Sequence, residues 1–224
     1  MKNLLDGFKE PDSNIKLNQL SKSDRIRVLF LAATPTESAR LQVDLEHKRI
    51  DKALWRSKHR EVFDLSNCGA IGVKDFRRWI LRTRPHIVHF AGHGKGTKTT
   101  LGSLSWNGNA GIILEEEDRS NKYVSGKALG EFFKLFKEQI ECVFLNACFT
   151  EEIGEQLKPH ISYVIGVNGK VSDNTAIEFA EAFYEGLGES LGVEASFGYA
   201  KASLSLESLD GRMFRLFHNG KEKK

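Results

Sequence analysis

The residues best equipped for chemistry are His93, set between glycines in His89-Phe90-Ala91-Gly92-His93-Gly94, and Cys148, which closes Val143-Phe144-Leu145-Asn146-Ala147-Cys148. Each stands where an apolar run of strand length ends. Two neighbouring parallel strands would therefore deliver an imidazole and a thiol to one carboxyl edge of a sheet. A thiol attacks a carbonyl only as thiolate, and an ordinary cysteine with a pKa of about 8.5 is mostly protonated at neutral pH. An imidazole within hydrogen-bond reach takes that proton and later gives it to the departing amine, which is covalent catalysis through an acyl-enzyme. Gly94 lets the chain approach a substrate closely, so the N–H groups of Gly94 and Cys148 are expected to form the oxyanion hole. A helix opening near Phe149 would bring a positive dipole end toward the sulfur.

Blander readings compete with this one. A cysteine that ends a strand is commonly a small buried hydrophobe, and Cys68 and Cys142 are placed in that class. A histidine flanked by two glycines is less ordinary, because a core histidine has no need of a permissive backbone. His89, His93 and Cys148 can also be read as three ligands of a zinc ion. Against that, Gly92 bends the path between the two histidines and no fourth ligand lies near, which favours His89 as a packed residue that orients the site. No metal and no cofactor are expected. Gly92–Gly96 lacks the Gly-Lys-Ser/Thr ending of a phosphate-binding loop. The acidic run Glu115–Asp118 reads as a solvated turn.

Composition agrees with a globular domain. The chain has 224 residues, 40% of them apolar and 28% charged, enough to bury a sizeable core. A net charge of +3 with scattered basic residues makes no case for nucleic acid. Three cysteines without Cys-x-x-Cys spacing argue against a disulfide framework or a thiolate zinc site and suit a reducing cytoplasm. No apolar run has the roughly 18 residues of a membrane span, and no signal-peptide core is evident.

The elements that must position His93 and Cys148 follow from periodicity. Residues 1–24 read as a polar arm or linker, 25–218 as one domain and 219–224 as a basic, solvated tail. Strands are expected at Ile26–Ala33, Glu61–Leu65, Ile87–Phe90, Glu141–Asn146 and Ile161–Val167, with a closing strand at Met213–Phe217. Helices are expected over Glu37–Trp55, with Leu41, Leu45, Ile50 and Leu54 inward, and over Val73–Arg82. A helix capped by Ser125 should run to Gln139 with Leu129, Phe132, Phe133 and Phe136 in the core. Further helices are expected at Glu151–Leu157, Asp173–Leu187 and Val193–Leu206. The Gly- and Ser-rich stretch between Gly94 and Gly111 reads as a mobile segment beside His93. Asn107-Gly108 inside it suggests a hairpin joining Leu104–Trp106 to Gly111–Leu114. Alternating strands and helices give an α/β sandwich with a mostly parallel sheet.

These motifs bring a family into view. Together with Arg27–Pro35, Val124–Leu129, Val164–Val167 with Ser172-Asp173, and Phe179–Gly188, they make the chain resemble the CHAT domain of bacterial caspase-like (clan CD) cysteine peptidases over residues 25–218. Cys148 follows His93 by 55 positions, close to the roughly 50 of caspases. The resemblance implies a caspase-like three-layer sandwich with a mostly parallel central sheet. It also implies an endopeptidase with His93 as general base and Cys148 as nucleophile, acting on a protein substrate. Such domains serve as regulated effectors of bacterial stress, cell-death or antiphage systems, some CRISPR-associated, and stay inactive until a sensor engages. No sensor module is evident here, so activation is expected from a separate protein, from clipping, or from a longer chain of which this is a part. Asp173 can line the pocket for the residue before the cut, or it can cap the helix that follows. The alternative to an enzyme is a caspase-fold interaction domain without catalysis.

Overall fold

Alternate residues of β1 (Ile26–Ala32) face opposite ways, with Val28 and Phe30 in one apolar core and Leu29 and Leu31 in another. That division, repeated strand by strand, makes the sheet the middle of three layers. A computed structural model describes residues 25–223 apart from 34–36, 70, 97–108, 117 and 119. In it β1 is joined by β2 (Phe63–Cys68), β3 (Ile87–Ala91) and β4 (His93–Lys95), then β5 (Gly111–Glu115) and β6 (Asn121–Ser125). β7 (Cys142–Asn146), β8 (Tyr163–Val167), β9 (Phe214–His218) and β10 (Lys221–Lys223) follow. The main sheet runs β10-β9-β8-β7-β3-β1-β2. β2, β1, β3, β7 and β8 are parallel, and β9 and β10 add antiparallel pairings at one edge.

Helices cover both faces. On one lie α1 (Glu37–Arg56), α5 (Asp173–Gly188) and α6 (Gly192–Leu206), packed on Phe30, Phe144, Ile165 and Phe214. On the other lie α2 (Val73–Thr83), α3 (Gly126–Lys134) and α4 (Glu151–Leu157), packed on Leu31, Phe90, Val143 and Val164. Burying each large apolar side chain contributes about 1.5–3 kcal/mol, and strands covered on both faces read as continuous apolar runs.

Several boundaries differ from the sequence expectation for local reasons. β2 starts at Phe63 because Arg60–Val62 form a 3₁₀ turn. α3 has the expected Ser125 cap, whose hydroxyl accepts from Ala128 N–H at 3.2 Å. It ends at Lys134 because the bonding tightens to i−3, with Leu135 N–H donating to Phe132 O at 3.1 Å. The closing strand is shifted by one residue to 214–218, and the stretch expected as a solvated tail pairs with it as the exposed edge strand β10.

One correction matters more. Val43, Glu46, Ile50, Ala53 and Leu54 line the inner face of α1, whereas Leu45, expected inward, is exposed. The hairpin expected across Asn107-Gly108 involves residues outside the described set, and β5 has other partners. β4 lies on one side of it and β6 on the other, both antiparallel.

Candidate active site

β3 and β7 are neighbours in the sheet, with Ala91 opposite Asn146 at their carboxyl ends. His93 and Cys148 each lie two residues beyond that last matched pair. From there the two paths converge. Gly92 has no room for a side chain, since a Cβ would stand 2.6 Å from Ala33 O and 3.0 Å from the Phe90 ring. At Gly94 a Cβ would collide with the Cys148 carbonyl oxygen and stand 2.9 Å from Thr150 Cγ2. The close approach at Gly94 is to the Cys148 main chain. β4, bearing exposed His93, belongs to the small three-stranded sheet with His93 opposite Ile113.

The turn that carries Cys148 is pinned from below. Thr150 is fully buried, and its hydroxyl stands 2.8 Å from both Leu145 O and Ala147 O while accepting from Val167 N–H at 3.0 Å. Phe149 adopts a left-handed conformation (φ 60°), which costs a residue with a side chain about 1–2 kcal/mol. Its N–H is secured by Gly169 O at 2.9 Å. Strain of this kind, held by surrounding bonds, aims a side chain out of a strand-to-helix turn. α4 begins at Glu151, three residues after Cys148, and carries Glu151 and Glu152 in its first turn.

Sγ of half-buried Cys148 makes a long contact to Val171 O, 3.8 Å, so the 167–173 segment borders the thiol as its position after β8 suggests. Asp173 opens α5 and is exposed, and the helix cap is Ser172, whose Oγ accepts from Thr175 N–H at 3.2 Å. The other cysteines are poor nucleophiles. Burial, with Asp75 adding to it, pushes the Cys68 thiol up to about 11. Full burial, with Glu141 nearby, pushes Cys142 up as well.

His89 is no ligand in this arrangement. Its Nε2 lies 2.7 Å from Glu46 Oε1 and its Nδ1 lies 3.2 Å from the Tyr184 hydroxyl, so both nitrogens are engaged. The ring packs between Phe30 and Phe144, and it is fully buried. Among the described residues no cluster of three or more His, Cys, Asp or Glu has the geometry to hold a metal ion. The same Glu46 oxygen accepts from Asn146 Nδ2 at 2.6 Å, and that amide also donates to Ala176 O at 3.1 Å. Glu46, Asn146, Tyr184 and Thr150 were not foreseen as parts of the site. A polar residue at the end of an apolar strand and a carboxylate within a helix's apolar stripe were the available signals.

Comparison with known proteins bears on the family and the fold. A family model described as CHAT domain matches residues 8–211, starting well upstream of the expected boundary at 25. A protein of Gillisia limnaea named "Probable protease" is 19% identical over 159 residues, which are 70% of this chain and 26% of that protein. The chain thus spans about a quarter of that relative's length. A secreted C11 cysteine protease from Bacteroides thetaiotaomicron, solved in complex with an irreversible peptide inhibitor, superposes with a TM-score of 0.58 at 10% identity. That likeness covers 87% of this chain and 66% of the other, just under two thirds, and at such identity it is a likeness of fold. No helix among the described residues is long and apolar enough to cross a membrane. With the family model spanning nearly the whole sequence, the chain belongs to the CHAT domain family.

Proposed function

We propose that this chain is a caspase-like (clan CD) cysteine endopeptidase in which His93 is the general base and Cys148 the nucleophile. The observation that carries the reading is the convergence beyond Ala91 and Asn146, where Gly94 presses on the Cys148 main chain. In the reaction His93 removes the Sγ proton and the thiolate adds to the scissile carbonyl carbon, forming a C–S bond and an oxyanion. The N–H groups of Gly94 and Cys148 receive that charge. Collapse breaks the C–N bond, the amine leaves with the proton from His93, and an acyl-enzyme remains. Water, deprotonated by His93, then breaks the C–S bond and releases the carboxylate, and the thiol regains its proton.

The substrate is a protein whose backbone threads past β4 and the 167–173 segment. Asp173, exposed beside that segment, is available to a basic side chain before the cut. The biological setting is that of a bacterial stress, cell-death or antiphage effector in the cytoplasm, of a kind that includes CRISPR-associated forms, switched on by a separate sensor or activator protein. Free Cys68, Cys142 and Cys148 fit a reducing compartment. The test compares cleavage of protein substrates by wild type and Cys148→Ala in the presence of candidate activators. Cleavage by wild type alone is expected. Equal cleavage by both removes the nucleophile, and a biological output unchanged in Cys148→Ala identifies a non-catalytic interaction domain instead.

A further inference from the structure

Directly beneath the strand ends lies a buried polar cluster. Glu46 of α1 is 5% exposed, His89 of β3 0% and Asn146 of β7 4%. One carboxylate oxygen, Glu46 Oε1, takes bonds from both strands, at 2.7 Å from His89 Nε2 and 2.6 Å from Asn146 Nδ2. Because that oxygen accepts, His89 carries its proton on Nε2 when neutral, which makes Nδ1 the acceptor for the Tyr184 hydroxyl at 3.2 Å. Burial holds the Tyr184 hydroxyl well above its ordinary pKa, so it remains a donor. Asn146 uses its second amide hydrogen on Ala176 O, in the first turns of α5. Four elements, α1, β3, β7 and α5, are therefore tied at a single carboxylate.

Desolvating such groups is costly unless they are bonded, and apolar residues of similar volume would pack there without that cost. The cluster does something a plain core does not: it fixes the two strands against each other where they end. His93 lies four residues after His89 and Cys148 two residues after Asn146. We propose that Glu46 is a positioning residue, which holds the ends of β3 and β7 in register through His89 and Asn146 and so sets the distance between His93 and Cys148. This inference rests on the His93–Cys148 reading given above. Glu46 touches no reacting atom; it acts through the two strands, and a displacement of about 1 Å at a reacting pair is enough to cost about a hundredfold in rate.

The test is the pH profile of Cys148 alkylation by iodoacetamide in the full chain, followed on the Cys148 peptide by mass spectrometry, which requires neither substrate nor activator. His93→Ala is expected to move the profile to higher pH. Glu46→Ala is expected to move it in the same direction and to slow alkylation at neutral pH by about tenfold. Glu46→Gln keeps an acceptor oxygen for both strands and is expected to recover the rate to within about threefold, whereas a merely structural loss would not distinguish Ala from Gln at equal stability. If Glu46→Ala does not fold, Asn146→Ala, which releases β7 alone, takes its place. A folded variant with the wild-type profile, or a Gln variant as impaired as Ala, overturns the proposal while His93→Ala still shifts the profile. A His93→Ala profile identical to wild type overturns the dyad itself, and this inference with it.

Discussion

β3 and β7 carry a histidine and a cysteine at both ends. At the amino ends His86 immediately precedes β3 and Cys142 opens β7, and Cys142 N–H donates to His86 O at 3.2 Å. At the carboxyl ends stand His93 and Cys148. The amino-end pair is locked in its neutral forms. Burial, reinforced by the Arg27 charge, holds His86 down to about 4, and Arg27 N–H donates to its Nδ1 at 3.0 Å. Full burial holds the Cys142 thiol up. The carboxyl-end pair is exposed at His93 and half-buried at Cys148, on turns shaped by glycine contacts and a left-handed residue. The amino ends thus offer neither an accessible thiol nor a readily protonated imidazole, and only the carboxyl edge presents a histidine and a cysteine that a substrate can meet.

The contrast is broken most severely at the sulfurs. Under conditions that activate the wild type, Cys148→Ala should lower kcat/KM by ~10³-fold or more, while Cys142→Ala stays within about threefold and loses about 1–2 kcal/mol of stability in urea denaturation. At the imidazoles, His93→Ala should cost ~10²–10⁴-fold in kcat and His86→Gln little. The glycine contact gives the next effect. Gly94→Ala drives a methyl into the Cys148 carbonyl, and a loss of activity of about tenfold or more with about 1–3 kcal/mol of destabilisation is expected from kinetics and thermal melts. Thr150→Val, of nearly the same shape, leaves Val167 N–H without its acceptor and should cost about 1–3 kcal/mol in urea denaturation.

The smallest effect on activity lies at the amino end. The pKa of His86 is depressed on folding, so the unfolded chain binds that proton more readily. The stability it supports is complete above about 6.5 and is lost as pH falls toward about 4. Urea denaturation across that range should show this component of the slope in wild type and not in His86→Gln.

What could be read from the sequence, and what could not, divides along the same line. β1, β3, β7 and β8 were legible because burial on both faces leaves an apolar run at each, which edge strand β2 lacks, and Gly92 and Gly94 marked His93 because a glycine on either side has a backbone cause. Glu46 was not legible. Of the expected stripe on α1, Ile50 and Leu54 face inward and Leu45 does not, and a carboxylate in the inner face gains its meaning only from partners 43 and 100 positions away, His89 and Asn146. The pairing of β5 with β4 and β6 was not legible for a related reason: its partners are set by the fold and carry no local turn signal. Asp173 was weighed as a helix cap, yet Ser172 beside it holds that role.

The central claim is that one thiol of three is made reactive by His93. A peptidyl probe with a thiol-directed acyl group, followed by mapping of the adduct on the intact chain, tests it most directly. The account predicts modification of Cys148, loss of that adduct in His93→Ala, and no adduct on Cys142 or Cys68. Modification of Cys142 first, or equal labelling of Cys148 with and without His93, would contradict it.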